Sequence, residues 1–277
     1  MYQAAKLICQ RLEIELQEMP GASCTGAGVL QEKNEFLGDT LNARTFAMAE
    51  DLGLQIMTIC STCQGVMRQA NFRMRKAPEY LARVNKELVV EGLEYTGTAN
   101  PKHLLWVLIE DVGLEKLTEL ITRPLAGIRM APFYGCYLVR PTDALDMEDH
   151  PARLTAVAQV IETLGATVVD FSGKTRCCGF PILTINETNS VAMVAKHTLD
   201  VKDLGADAMV TPCPLCHLNL DGFQPQAAKM AARPIDMPIL HLPQMLGLAL
   251  GIAPKALRLN NHIMSTKKML SEVALAP

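Results

Sequence analysis

The 277-residue chain is poor in aromatic residues, with seven Phe, five Tyr and one Trp. It has no apolar run of membrane-spanning length. The longest, "LLWVLI" at Leu104–Ile109 and "LGLALGIA" at Leu246–Ala253, fall far short of the roughly 20 residues a spanning helix needs. It has no excess of either charge: 26 Lys and Arg stand against 29 Asp and Glu, interspersed, for a net −3. That excludes the basic stripe of a nucleic-acid binder. No secretory leader opens the chain. There is no G-x-G-x-x-G for a flavin or nicotinamide and no compact C-x-x-C-x-x-C ferredoxin run. "SGKT" at Ser172–Thr175 lacks the upstream glycine spacing of a phosphate loop. These absences predict a cytoplasmic protein that meets a membrane only through partners and exchanges electrons, if any, with another subunit.

What the chain does have is sulfur. Nine cysteines form an odd number, and in a reducing compartment a patterned set of cysteines reads as a metal or redox site. The neighbours Cys177 and Cys178 cannot readily bridge to each other, because disulfide geometry needs separated Cα atoms with converging Cβ vectors. Fifteen methionines suit adaptable core packing. Cys9, on the apolar face of a helical stretch with Ala4, Leu7, Ile8 and Leu12, is expected to fill core.

A repeat organises the chain. Cys24, Cys60 and Cys63 recur as Cys177, Cys213 and Cys216, each at an offset of 153 residues. Both copies run from a cysteine through a glycine, a helical stretch, "DLG" and a β-rich run to C-x-x-C. Upstream, "AAKLICQRLEIELQEMPG" parallels "AVAQVIETLGATVVDFSG". The runs "IRMAPFYG" (Ile128–Gly135), "TVVDF" (Thr167–Phe171), "DAMVTP" (Asp207–Pro212) and "MPILHLP" (Met237–Pro243) read as buried strands. Alternation with helices predicts an α/β fold of two pseudo-equivalent lobes, each a small parallel sheet flanked by helices. The expected boundaries are an N-terminal lobe at 1–114, a linker at 115–127 containing "TRPLAG", and a C-terminal lobe at 128–277. The N-terminal copy begins inside its first helix. The counterpart of Cys136 would fall about 17 residues ahead of Met1, so that lobe is expected to lack its first strand.

The C-terminal copy is complete. Cys136 is followed by 40 residues, then Cys177–Cys178, then 34 residues, then Cys213-Pro-Leu-Cys216. In a parallel α/β sheet these strand ends meet at one edge, where such folds place ligands. Three chemistries compete. A single zinc takes four ligands and leaves one cysteine idle. A thioredoxin-like pair needs only the C-x-x-C. An iron–sulfur cluster takes thiolates readily, although five exceed the four of an ordinary cubane.

The pattern C-x(n)-C-C-G-x(n)-C-x-x-C, complete in the second copy and partial in the first, resembles the cysteine-rich CCG domain of the B-type subunit of heterodisulfide reductase. "HLPQMLGLALG" at His241–Gly251 resembles that family's final segment. The resemblance covers nearly the whole chain. It implies an oxidoreductase subunit, active within a complex, with a noncubane [4Fe-4S] cluster on Cys136, Cys177, Cys178, Cys213 and Cys216. Electron transfer, and thiol, disulfide or sulfur chemistry at that site, would follow. It also implies a ferredoxin-like iron–sulfur partner, with a flavin-containing subunit as a further candidate. Related subunits serve succinate and hydroxy-acid dehydrogenase complexes and sulfur-oxidising complexes, and those are alternative assignments. A zinc-binding or metal-free docking subunit is the alternative from another class.

The first copy departs from the pattern. Thr25 replaces the second cysteine of the pair, and Thr is a poor ligand for soft metal centres. Cys24, Cys60 and Cys63 form a doubtful second site, suited to zinc, a smaller iron–sulfur cluster or nothing. Around the complete motif, His217 is placed to tune a cluster through a hydrogen bond, and Lys174 and Arg176 to meet negative charge. His241 suits helix capping.

Overall fold

The computed structural model describes residues 1–275. Its contacts divide the chain into two compact units that are interleaved in sequence. The larger holds Met1–Leu16, Leu105–Cys136 and the chain from Ala152 onward; the smaller holds Gln17–Leu104 and Tyr137–Pro151. These units are cut differently from the repeat-based lobes. Helix α1 (Tyr2–Arg11) belongs to the larger unit, although its sequence is part of the first repeat.

The smaller unit is built on helix α2 (Glu35–Asp51), helix α3 (Ser61–Lys76) and helix α4 (Pro78–Leu88). Strand β1 (Met57–Thr58) pairs in parallel with β2 (Lys102–His103). Asn34 caps α2, its side chain accepting from Leu37 N–H at 3.0 Å. Gly53, at φ +66°, terminates it, since left-handed backbone is cheap only for glycine. Phe46, Ala47, Met67, Ala70, Met74, Val84 and Tyr95 form the core between the three helices. Arg68 fastens the loop of this unit that follows Cys136. Its Nε donates to the Ala144 carbonyl at 2.9 Å, and its guanidinium pairs with Asp146.

In the larger unit four parallel strands are ordered β4-β3-β5-β6: β3 (Arg129–Pro132), β4 (Thr167–Val168), β5 (Ala208–Thr211) and β6 (Ile239–His241). Registers pair Met130 with Val168, Ala131 with Met209 and Val210 with Leu240. The four runs read as strands are present, but "TVVDF" contributes only its first two residues. Helices α5 (Ala156–Thr163), α6 (Glu187–Asp203), α7 (Pro214–Gly222), α8 (Gln224–Met230) and α9 (Leu242–Ala249) connect and cover them.

The second copy repeats the punctuation of the first. Asn186 caps α6 through Asn189 N–H at 3.0 Å, and Gly205 at φ +76° ends it. Cys60 and Cys213 are both extended N-caps, opening α3 and α7. The stretch 115–127 is part of the larger unit. Within it Leu117 and Leu125 are fully buried, and Thr122 and Arg123 both donate to the Ala249 carbonyl.

Helix α1 packs on α9, with Ala4, Ile8 and Cys9 buried. Trp106, the single tryptophan, is buried in the same unit beneath the Arg153 guanidinium at 3.9 Å, and Arg153 pairs with Glu110 at 2.6 Å. Its fluorescence is therefore a clean reporter of that unit. Ile8→Ala should destabilise the unfolding transition read at Trp106 in urea by about 2–5 kcal/mol, as for a large-to-small change in a core. No shift would mean that α1 is not part of this unit's core.

Candidate metal centre

The larger unit carries Cys136, Cys177, Cys178, Cys213 and Cys216 at the carboxyl ends of its central strands. Cys136 lies four residues beyond β3, and Tyr134 N–H donates to the Lys174 carbonyl at 2.8 Å, tying that strand end to the adjacent-cysteine turn. Cys213 lies two residues beyond β5, with its N–H on Thr211 Oγ1 at 3.3 Å. Cys216 sits in the first turn of α7.

The sulfurs form a string, each within hydrogen-bonding reach of the next: Cys136, Cys177, Cys178, Cys216, Cys213. None of the nine cysteines is in a disulfide. Among the described residues no three His, Cys, Asp or Glu side chains surround a single-ion position. The glycines beside the sulfurs complete the cradle. A Cβ on Gly135 (φ +71°) would lie 3.1 Å from Cys216 Sγ, and one on Gly179 (φ +95°) would lie 2.9 Å from the Ser190 carbonyl oxygen. Five strung thiols in a glycine-lined cradle fit a multi-iron group, whose metals are spread out, better than one tetrahedral ion.

Electrostatics sort the thiols. Hydrogen bonds from Cys136 and Cys178 hold the Cys177 thiol far below the usual range, and Gly179 N–H adds to this at 3.4 Å. The Cys136 thiol is pushed up because it donates to Cys177 and is partly buried. Cys178 is pushed up first by its hydrogen bond to Cys177 and then by burial, and Cys216 by its hydrogen bonds to Cys178 and Cys213 and then by burial.

Two side chains that no sequence motif marked stand behind the turn. His197 of α6 lies 2.9 Å from the Cys177 carbonyl, and Asn219 of α7 donates to the Cys178 carbonyl at 2.7 Å. The only signal for either lies in comparing the two copies. His217 is buried, packs edge-on against His262 with ring centroids 4.6 Å apart, and titrates near 3 because burial, then His262 and His241, disfavour its charge. Its ring nitrogens make no hydrogen bond of ordinary geometry. Lys174 pairs with Asp170 at 2.5 Å, and Arg176 is exposed. His241 caps α9, its N–H donating to Gln244 Oε1 at 2.9 Å. Cys9 is buried core, its thiol pushed up to about 11 by desolvation.

In the smaller unit the partial motif keeps the turn. Gly26 N–H donates to Cys24 Sγ at 3.4 Å, as Gly179 does to Cys177. Thr25 Oγ1 donates to Cys63 Sγ at 3.4 Å, so a hydroxyl stands where Cys178 meets Cys216. Of the three cysteines here, Cys24 is exposed, Cys63 half-buried and Cys60 buried.

Parallel strands delivering clustered thiols to one sheet edge define a cysteine-based redox or metal protein of the α/β class. The pattern of the cysteine-rich (CCG) domain matches residues 1–68 and 130–221, once in each copy. The chain belongs to this CCG-domain family, in the branch that resembles the B-type subunits of heterodisulfide reductase, and is an oxidoreductase subunit. It is 35% identical to the 8-methylmenaquinol:fumarate reductase membrane anchor subunit of Wolinella succinogenes, over 93% of this chain and 89% of that protein. It is 33% identical to the B-type subunit of the ferredoxin:CoB-CoM heterodisulfide reductase of Methanosarcina mazei, over 98% and 90%. A protein of Archaeoglobus profundus that is likewise named for its similarity to the heterodisulfide reductase B-type subunit is 32% identical over 88% and 83%. The fold matches a crystal structure of a hypothetical protein from Helicobacter pylori with a TM-score of 0.77 at 19% identity. That match covers 95% of this chain and 48% of the other.

In the metal-free protein at neutral pH, iodoacetamide should modify Cys177 first among the five thiols, roughly tenfold or more faster than Cys216, because the thiolate is the nucleophile. Peptide mass spectrometry over a time course reads this. Equal rates would contradict the hydrogen-bond ordering.

Proposed function

We propose that this chain is the redox subunit of a multi-subunit oxidoreductase, in which Cys136, Cys177, Cys178, Cys213 and Cys216 hold a noncubane [4Fe-4S] cluster. The observation that carries the reading is the string of five thiols at one sheet edge. When bound, such a group supplies one-electron redox chemistry. The chain's own residues do the rest. The strand ends orient the thiolates, the glycines admit the cofactor, and burial of Cys178, Cys213 and Cys216 keeps water from one side. The exposed Arg176 and the half-buried Cys177 leave the other side open to an anionic thiol or disulfide.

Electrons arrive from or leave to a ferredoxin-like iron–sulfur subunit, with a flavin-containing subunit as a further partner, on the cytoplasmic side. Among the described residues no helix is long and apolar enough to cross a membrane, so membrane attachment would come through partners. The fumarate reductase relative favours a second reading, a subunit of a succinate or fumarate complex, with the same cofactor and a different electron acceptor. The lobes 1–114 and 128–277 are the duplicated sequence units of this reading, joined at 115–127. Cys24, Cys60 and Cys63 hold zinc or a smaller cluster in the first.

Anaerobically purified protein should contain about four irons and about four acid-labile sulfides for this cluster per chain, and Cys178→Ser should abolish the paramagnetic resonance signal. Stoichiometric zinc without sulfide would overturn the cluster. An unchanged spectrum in the variant would overturn the ligand assignment. Thr25→Cys should supply the smaller unit with a fourth thiol and raise its bound metal as read by elemental analysis. Unchanged metal content would count against a site there.

A further inference from the structure

We infer that His197 and Asn219 are positioning residues for the adjacent-cysteine turn, together forming a two-pronged clamp on the carbonyls of Cys177 and Cys178. The inference rests on the assignment of those cysteines as cluster ligands.

The carbonyl of Cys177 can only accept, so the His197 nitrogen that faces it at 2.9 Å carries the proton. That places the donor on Nε2 and leaves Nδ1 a bare acceptor, buried and without a partner. The ring is held between Phe133, with centroids 5.2 Å apart, and Phe171, at 6.4 Å. Gly173 allows this approach, since a Cβ there would stand 2.7 Å from His197 Nδ1. From the next helix, Asn219 Nδ2 donates to the Cys178 carbonyl at 2.7 Å and to Ser190 Oγ at 3.2 Å, and its Oδ1 is likewise buried without a partner. Each side chain thus leaves one polar atom unsatisfied in the core. A close-packed aromatic or leucine in its place would avoid that penalty. The bond each makes to a cysteine carbonyl is the compensation.

The clamp has an electrical consequence. The Cys178 carbonyl and the Gly179 N–H belong to one peptide, so a carbonyl drawn back toward α7 turns that N–H to the sulfur side, where it lies 3.4 Å from Cys177 Sγ. N–H donors aimed at cluster sulfur favour the more negative, reduced state and raise the reduction potential.

The duplicated copy is an internal control. Aligning α2 with α6 by their Asn caps and terminating glycines puts Thr45 at the place of His197, and the C-x-x-C helices put Val66 at the place of Asn219. Thr45 Oγ1 accepts from Ser23 N–H at 3.3 Å, and Val66 carries no donor. The clamp is present where the cysteine pair is intact and missing where Thr25 has replaced its second member.

The test uses the anaerobically purified, cluster-loaded chain. His197→Phe keeps the aromatic packing and removes the donor; Asn219→Leu removes the second prong. His197→Gln places an amide N–H close to the position of Nε2–H. His197→Phe and Asn219→Leu should release iron to a chelator ten- to a hundredfold faster, shift the resonance g-values and lower the midpoint potential, while His197→Gln restores all three. Lys196→Ala, an exposed change on the same helix, should leave them as in the parent. Parent-like g-values, potential and iron release in the folded Phe and Leu variants would overturn the clamp and leave the cluster standing. So would a Gln variant that folds and behaves like the Phe one. If the parent chain itself holds neither iron nor sulfide, the cluster assignment falls, and the clamp with it.

Discussion

Five sulfur atoms strung so that each lies within hydrogen-bonding reach of the next impose the main constraint on the larger unit. Thiolates crowded at one place repel, and thiols crowded there compete for the few donors available, so the surroundings must stabilise charge at some sulfurs and deny it at others. The protein meets this with a peptide N–H group and neighbouring thiols for Cys177, and with the thiol neighbours and then burial for Cys178 and Cys216. The parallel sheet makes the crowding possible, because its strands all end on the same side and the loops after β3 and β5 converge.

Glycine is required where backbone must lie against sulfur or against a neighbouring helix. Gly135 lies against Cys216 Sγ, and Gly179 turns the chain in left-handed geometry over Ser190. A side chain at Gly135 would press on Cys216 Sγ, and one at Gly179 on Ser190. The same turn survives in the smaller unit, where Gly26 at φ +84° still presents its N–H to Cys24. The duplication therefore preserved the backbone more faithfully than the chemistry. Thr25 keeps a hydrogen bond to Cys63 in place of the sulfur–sulfur contact that Cys178 makes with Cys216.

The interleaving of the two units shows how far a repeat in sequence departs from a unit in space. Helix α1 is the counterpart of α5 in the repeat, yet it packs on α9, at the far end of the chain. Its apolar face is generic, Ala4, Ile8 and Cys9. Periodicity shows that such a face must be buried and says nothing of what buries it.

Spacing alone disclosed the duplicated α/β plan, the strands of the larger sheet and the eight cysteines of the two motifs, since these depend on local patterns: alternation, punctuating glycines and a fixed offset. Strand lengths were less legible. "TVVDF" pairs only at Thr167 and Val168 although β3 runs on to Pro132, because the chain turns away there toward the cysteine pair. Tertiary structure alone decided the order of the sulfurs, the ionisation of Cys177 and the roles of His197 and Asn219. Those last two lie 20 and 41 residues from the carbonyls they hold. Hydrogen bonds over such separations leave no period in a sequence; they exist only once two helices and a turn have been packed together.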